Sequence, residues 1–139
     1  MTMEERHVML ALGLLMDQAR ALVIDDPAIA LRPSQLRVVD MVPAEGITVT
    51  DLADRVGMTK QGIGQFVGQL VDDGYLTTEI PPEDRRVRVV RRTSLGEQAS
   101  RQLGRVLANL ETRWAQRIGT RNYRAFRALL DQLADLPPD

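Results

Sequence analysis

Two linked segments decide the fold: Thr48-Val49-Thr50-Asp51-Leu52-Ala53-Asp54-Arg55-Val56-Gly57-Met58, and Thr59-Lys60-Gln61-Gly62-Ile63-Gly64-Gln65-Phe66-Val67-Gly68-Gln69-Leu70. Thr48 is placed to cap a helix, and Asp51 falls in the first turn, where the positive end of the helix dipole favours it. Val49, Leu52, Ala53 and Val56 then recur at i, i+3, i+4 and i+7, a single apolar stripe. Gly57 suits a left-handed C-terminal cap. Thr59 caps a second helix with the same spacing at Ile63, Phe66, Val67 and Leu70, closed by Gly74. Two short amphipathic helices joined by a tight glycine-containing turn form a helix-turn-helix. The same spacing also occurs in ordinary helical corners, so what surrounds it matters.

Working outward on the C-terminal side, Leu76 to Ile80 is β-prone, and Pro81-Pro82-Glu83-Asp84 reads as a turn. Arg86-Val87-Arg88-Val89 alternates charged and apolar with period two. This predicts a hairpin with one packed face and one arginine face. A hairpin directly after the second helix is the wing of a winged helix; a plain solvated hairpin would also use arginines to keep its edge soluble. Ser94-x-x-Glu97 predicts a capping box opening a long helix, with Thr93 an equally good N-cap. Leu103, Val106, Leu107, Leu110, Trp114 and Ile118 mark its inner stripe. Gly119-Thr120 breaks it, and a last helix carries Tyr123, Phe126, Leu129, Leu130 and Leu133 before Pro137-Pro138.

On the N-terminal side, Glu4 to Ile24 reads as a helix. Val8, Met9, Leu10, Leu12, Leu14, Leu15 and Met16 cover nearly its whole circumference, and such a helix must be buried on several sides. In a chain this short, a second subunit is the expected cover. Asp25-Asp26-Pro27 ends it. Pro33-Ser34 opens a second helix lined by Leu36, Val39 and Val42. Glu45-Gly46 is a turn. The predicted fold class is mainly α with a small β-wing: a winged helix-turn-helix core at 33–92, flanked by helical dimerisation regions at 1–24 and 93–139, within a single domain over 1–139.

Composition removes much chemistry. The chain has 139 residues, no cysteine and a single histidine, His7. Disulfides, thiolate nucleophiles, Cys-based zinc sites, multi-His metal sites and His-based triads are therefore excluded. The remaining carboxylates are spread over helix surfaces, so an enzyme is the weakest reading. No metal and no cofactor are called for. No apolar run reaches the ~18–20 residues of a membrane span. The acidic Glu4-Glu5 start does not resemble a secretory signal, and the expected location is the cytoplasm. The net charge is -1, but it is unevenly spread: -3 over 1–50, -1 over 51–100 and +3 over 101–139. Arg85, Arg86, Arg88, Arg91 and Arg92 form a compact cluster, able to bind a polyanion locally because screening confines fields to about 8–10 Å.

The order of these elements resembles the MarR family of bacterial transcription regulators over essentially the whole chain. The matching words are Arg32-Pro33-Ser34-Gln35-Leu36, Thr50-Asp51-Leu52-Ala53-Asp54-Arg55-Val56-Gly57, and Leu70-Val71-Asp72-Asp73-Gly74-Tyr75-Leu76. The wing word Asp84-Arg85-Arg86, followed by Thr93-Ser94-Leu95-Gly96, is the most specific. Arg92 stands where the family usually has Leu. The resemblance implies a two-fold homodimer, binding to double-stranded DNA by paired winged motifs, and relief by a small aromatic or phenolic ligand. It thus implies a sequence-specific regulator, a repressor being the first choice and an activator left open; the symmetry of such a dimer calls for a pseudo-palindromic operator.

Site residues follow from the helical faces. With Ile63, Phe66, Val67 and Leu70 inward, Gln61, Gly64, Gln65 and Gly68 face outward, flanked by Lys60 and Gln69. Glutamine can contact adenine bidentately, and Lys60 can reach guanine or a phosphate. Thr48, Thr50 and Thr59 lie at helix starts, where hydroxyls and free N–H groups suit phosphate oxygens; each is equally a plain N-cap candidate. Gly62, Gly64 and Gly68 weaken their helix, which close approach to the groove, ordering on DNA or neutral drift would each explain. Asp84 is expected to brace the wing by pairing with an arginine, leaving Arg85 or Arg86 for the minor groove. The family pattern favours Arg86, with Arg88 nearer the phosphates and Arg91 and Arg92 supporting the hairpin base. The ligand-binding residues are unknown: Met9, Met16 and Trp114 could line an effector pocket, but dimer core is the weightier role for them. The serious rival is a winged-helix adaptor that binds protein. Salt dependence of DNA binding separates the two, since phosphate contacts make log K fall steeply with log salt.

Overall fold

The computed structural model describes residues 7–135. The expected helical residues Glu4 to Arg6 and the closing Pro137-Pro138 lie outside that range. The element order is α1 (Val8–Asp25), α2 (Pro33–Met41), β1 (Ile47–Thr48), α3 (Val49–Val56), α4 (Lys60–Asp72), β2 (Leu76–Glu79), β3 (Val89–Arg92), α5 (Ser94–Ile118) and α6 (Thr120–Ala134). This is the mainly helical winged architecture that the residue patterns predict. The chain divides into two compact units, residues 1–104 and 105–139. No helix among the described residues is long and apolar enough to cross a membrane.

The core of the first unit joins the apolar stripes of α2, α3, α4 and the wing. Leu36, Val39, Val42, Leu52, Ile63, Val67, Leu70, Leu76 and Val90 are all buried. Val38 joins them, a position outside the predicted α2 stripe. The helix-turn-helix forms as its punctuation dictates. Thr48 Oγ1 accepts from Asp51 N at 3.1 Å, and Thr59 Oγ1 accepts from Gly62 N at 3.0 Å. Gly57 closes α3 with φ +79°, a left-handed geometry that a side chain strains to adopt. Helix α4 forms despite Gly62, Gly64 and Gly68, which together cost about 2–3 kcal/mol relative to Ala. Burying Ile63, Val67 and Leu70 contributes about 1.5–3 kcal/mol each. Tertiary packing therefore outweighs propensity.

Two local expectations are corrected and one open alternative is decided. The sheet has three strands in the order β1-β3-β2, all antiparallel, where a two-stranded hairpin was expected. The added strand is Ile47–Thr48, which pairs with Val89 and Val90. The returning strand begins at Val89, so Arg86, Val87 and Arg88 lie in the connecting loop. The pairing of Glu79 with Val89 is the last step of the β2 ladder. Continuing it would set Pro81 opposite Val87, and proline has no N–H to donate. With the strand moved, there is no single arginine face, because the neighbours Arg91 and Arg92 project to opposite sides of the sheet. Finally, Thr93 rather than Ser94 caps α5: its Oγ1 accepts from Gly96 N at 3.1 Å, and its carbonyl accepts from Glu97 N. Glu97 turns instead to Arg92.

Helix α1 buries only Val23, while Val8, Met9, Leu14, Met16 and Ile24 are exposed. In the second unit, Gly119 (φ +89°) turns the chain from α5 into α6. Glu111 accepts from the Tyr123 hydroxyl, and from Arg127 Nη1 at 2.7 Å, tying the two helices together. Burial and the neighbouring Glu111 carboxylate push the Tyr123 hydroxyl above its ordinary pKa. Ile118 is 44% exposed and so drops out of the predicted α5 stripe; it is the last residue of its helix.

Candidate nucleic-acid interface

The first unit brings two polar surfaces together on one scaffold. The first is the outer face of α4. Lys60, Gln61, Gln65, Gly68 and Gln69 are exposed, and Gly64 is half-buried. A Cβ added at Gly64 or Gly68 would meet nothing within 4 Å, so nothing in this chain requires glycine there. Gly62 differs, because a Cβ there would lie 3.0 Å from Thr59 Oγ1, the cap of its own helix. Gln69 Nε2 donates to both carboxylate oxygens of Asp73 at 3.1 Å. Its amide is therefore engaged along the helix, whereas Gln61 and Gln65 make no such contact among the described residues. The capping threonines Thr48 and Thr59 use an oxygen lone pair for the cap, which leaves each hydroxyl proton able to donate outward. Thr50 is exposed in the first turn of α3.

The second surface is the β2–β3 loop. Asp84 Oδ1 accepts from Arg86 N and from Arg86 Nε, both at 3.1 Å. The two contacts close a tight local turn and hold the Asp84 carboxyl below its ordinary pKa. Even so paired, the Arg86 side chain is 90% exposed. Arg85 is exposed as well, with no hydrogen bond or ion pair among the described residues. Arg88 Nη2 reaches Thr78 Oγ1 only at 3.5 Å, a long contact that leaves most of its donors available.

Arg91 and Arg92, in contrast, are spent on the protein. Arg91 Nε donates to Glu79 Oε1 at 3.0 Å, and its Nη1 donates to the Glu45 carbonyl. Arg92 Nη1 donates to Ser100 Oγ at 2.6 Å, and its Nε lies 3.2 Å from Glu97 Oε1. That last approach has ion-pair distance without hydrogen-bond direction, so the Nε proton is left without an acceptor.

The two surfaces are coupled by β1, which residue patterns missed because a two-residue strand has no periodicity to read. Val49 N donates to the Arg88 carbonyl at 3.0 Å, linking the first turn of α3 to the wing. A second unforeseen feature is the seat of α5. Thr93 Oγ1 donates to the Gly74 carbonyl at 2.6 Å, and a Cβ at Gly96 would lie 2.2 Å from the Tyr75 carbonyl oxygen. Only glycine lets α5 start so close to the end of α4. The Thr-x-x-Gly spacing is the trace of this contact in the sequence.

The MarR family model matches residues 31–87, the helix-turn-helix and the wing loop. The chain is 31% identical over 91 residues to the HTH-type transcriptional regulator PetP of Rhodobacter capsulatus; the match covers 65% of this chain and spans about half (54%) of that protein. Among solved structures, it is similar to the PcaV transcriptional regulator from Streptomyces coelicolor in complex with its natural ligand. That likeness has a TM-score of 0.74 at 22% identity and covers 97% of this chain and 96% of the other. It is also similar to the transcriptional repressor CouR bound to a 23-mer DNA duplex, with a TM-score of 0.72 at 22% identity and 92% of each chain covered. At such identities these two structures speak for the fold.

Proposed function

Taking as premise that residues 31–87 belong to the MarR family, we propose that this chain is a transcription regulator that binds double-stranded DNA as a homodimer. The observation that carries this reading is a polar, outward α4 face and an exposed arginine loop on one compact unit, the base of the loop tied to the start of α3 by the β1–β3 pairing. The N-terminal half of α4 enters the major groove, where Gln61 and Gln65 read base edges and Lys60 contacts guanine or phosphate. Arg86, with Arg85, enters the adjacent minor groove, and Arg88 faces the phosphates. Thr48, Thr50 and Thr59 hold phosphate oxygens at helix starts. Asp84 keeps Arg86 in place. Gln69, engaged with Asp73, is the outlying member of the set.

A two-fold dimer presents two copies of this surface, so its operator is a pseudo-palindrome with half-sites about one helical turn, ~10–10.5 bp, apart. The CouR structure on duplex DNA supports a repressor reading, and the PcaV structure with its natural ligand supports relief by a small molecule. The effector of this chain is then a small aromatic or phenolic compound, as the family resemblance implies.

The test is selection of binders from random duplexes, followed by titration of the selected duplex across salt. Symmetric sites with a steep salt dependence are expected. Recovery of single asymmetric sites overturns the dimeric reading mode, and a flat salt response moves the chain to the protein-binding adaptor class.

A further inference from the structure

Strand β3 carries Val90 and Arg92 on one face of the sheet. Val90 is fully buried, and the Arg92 side chain is 14% exposed. Beyond Arg92 a directed chain of polar contacts continues. Arg92 Nη1 donates to Ser100 Oγ on α5, and Ser100 Oγ donates to Asp40 Oδ1 on α2, both at 2.6 Å. Glu97, one turn earlier on α5, supplies the nearer negative charge. The contacts thus run from β3 through α5 to α2 within the first unit.

An ionic group so enclosed is a poor source of stability, because desolvation offsets its Coulombic attraction, and an apolar side chain of similar volume does as well or better. The Nε left without an acceptor adds to the cost. What such a group supplies is direction. Apolar contacts such as those of Val90 are indifferent to sliding along the strand, whereas hydrogen bonds at 2.6 Å fix position and angle. Three residues before Val89, the same chain carries Arg86 at the loop tip.

We propose that Arg92, acting through Ser100 and Asp40, is a positioning residue for DNA binding. It anchors β3 to α5 and α2, and so sets where the Arg85–Arg86 tip stands relative to the exposed face of α4. The inference rests on the DNA-binding reading above and adds to it residues that touch no nucleic acid. A displaced tip loses the Arg86 groove contact, so affinity and the magnitude of the salt slope fall as they do when Arg86 itself is removed. An effect of the Arg92 chain that bypasses the tip would instead add to the loss of Arg86.

The experiment compares wild type, Ser100→Ala and Ser100→Thr by salt titration on one selected duplex, with thermal unfolding of each free protein alongside. Ser100→Ala is expected to weaken binding about tenfold, the scale of a hydrogen bond to a charged group. Its salt slope should fall toward that of Arg86→Ala, on which background Ser100→Ala should add little, and Ser100→Thr, which keeps the hydroxyl, should restore most of the affinity. If Ser100→Ala does not fold, Asp40→Ala at an exposed position carries the same expectation with a smaller loss. Unchanged affinity in a wild-type background that binds DNA overturns the inference alone. So does a loss from Ser100→Ala that persists in full in an Arg86→Ala background, which would place its action elsewhere than the tip. A wild-type chain that binds no duplex overturns the functional reading, and this inference with it.

Discussion

At the scale of single residues, Arg86 and Gln65 are the two groups on which the proposed interface turns, and they act through different physics. Arg86 is a highly exposed charge, held at its base by Asp84. Arg86→Ala should weaken binding and lower the salt slope by about one unit per dimer arm, with little change in major-groove preference. Gln65 is neutral and displaces no counterion. Gln65→Ala should relax discrimination at one base pair by ~1–3 kcal/mol and leave the slope nearly unchanged. Salt titrations on matched and single-mismatch duplexes measure both, and an identical response from the two variants would defeat the division. Asp84 adds a pH dependence. Its folded pKa is depressed by Arg86, so the turn it closes is intact above the ordinary carboxylate value and is lost as pH falls through the lowered one. Titration of the Arg86 Nε–H resonance should therefore show no change from neutral pH down to about 4, and release only below it. The expectation of an Asp84 brace was open to reading because acid and base stand two residues apart; the partners of Arg91 and Arg92 were not. Glu45, Glu79 and Ser100 lie 46, 12 and 8 residues from their arginines, and no local spacing announces them.

Among the elements, the helices and strand β2 were legible, while β1 and the start of β3 were not. Each helix of the winged core repeats an apolar stripe over two turns or more between a capping residue and a glycine or proline, so several signals agree. The wing misled, because alternation of arginine and valine at 86–89 mimics a strand while Pro81 denies it a partner. Short β-segments depend on what lies opposite them, and the local pattern does not record that. The start of α5 exemplifies the same limit: Thr93 and Ser94 are equivalent as caps in sequence, and the Gly74 carbonyl decides between them. That seat gives a paired prediction. Gly96→Ala forces a methyl into the Tyr75 carbonyl and should destabilise the protein by about 1–3 kcal/mol. Gly64→Ala meets open space and should stabilise the free protein by about 0.5–1 kcal/mol. Denaturant unfolding of both variants checks this, and stabilisation by the Gly96 substitution would refute the seat.

For the whole molecule, two sets of apolar side chains remain without cover in a single chain: Val8, Met9, Leu14, Met16 and Ile24 on α1, and Leu129 and Leu133 on α6. A soluble monomer rarely leaves so many large side chains in water. The homodimer proposed above accounts for them, and its helices should be stable only in association. The melting temperature should then rise with protein concentration, and light scattering should give twice the 15.5 kDa chain mass; a concentration-independent transition of a 15.5 kDa species would exclude the dimer. One feature of α4 reaches further than any single variant. Its packing rests on Ile63, Val67 and Leu70, while Gln61, Gln65 and Gly68 are exposed and a Cβ at Gly64 or Gly68 would meet nothing within 4 Å. On the proposed DNA-binding reading, folding and target choice are therefore written in separate letters of the same helix. Relatives could diverge to new operators by exchanging those four positions alone, and a library randomised there should yield mostly folded proteins with altered addresses.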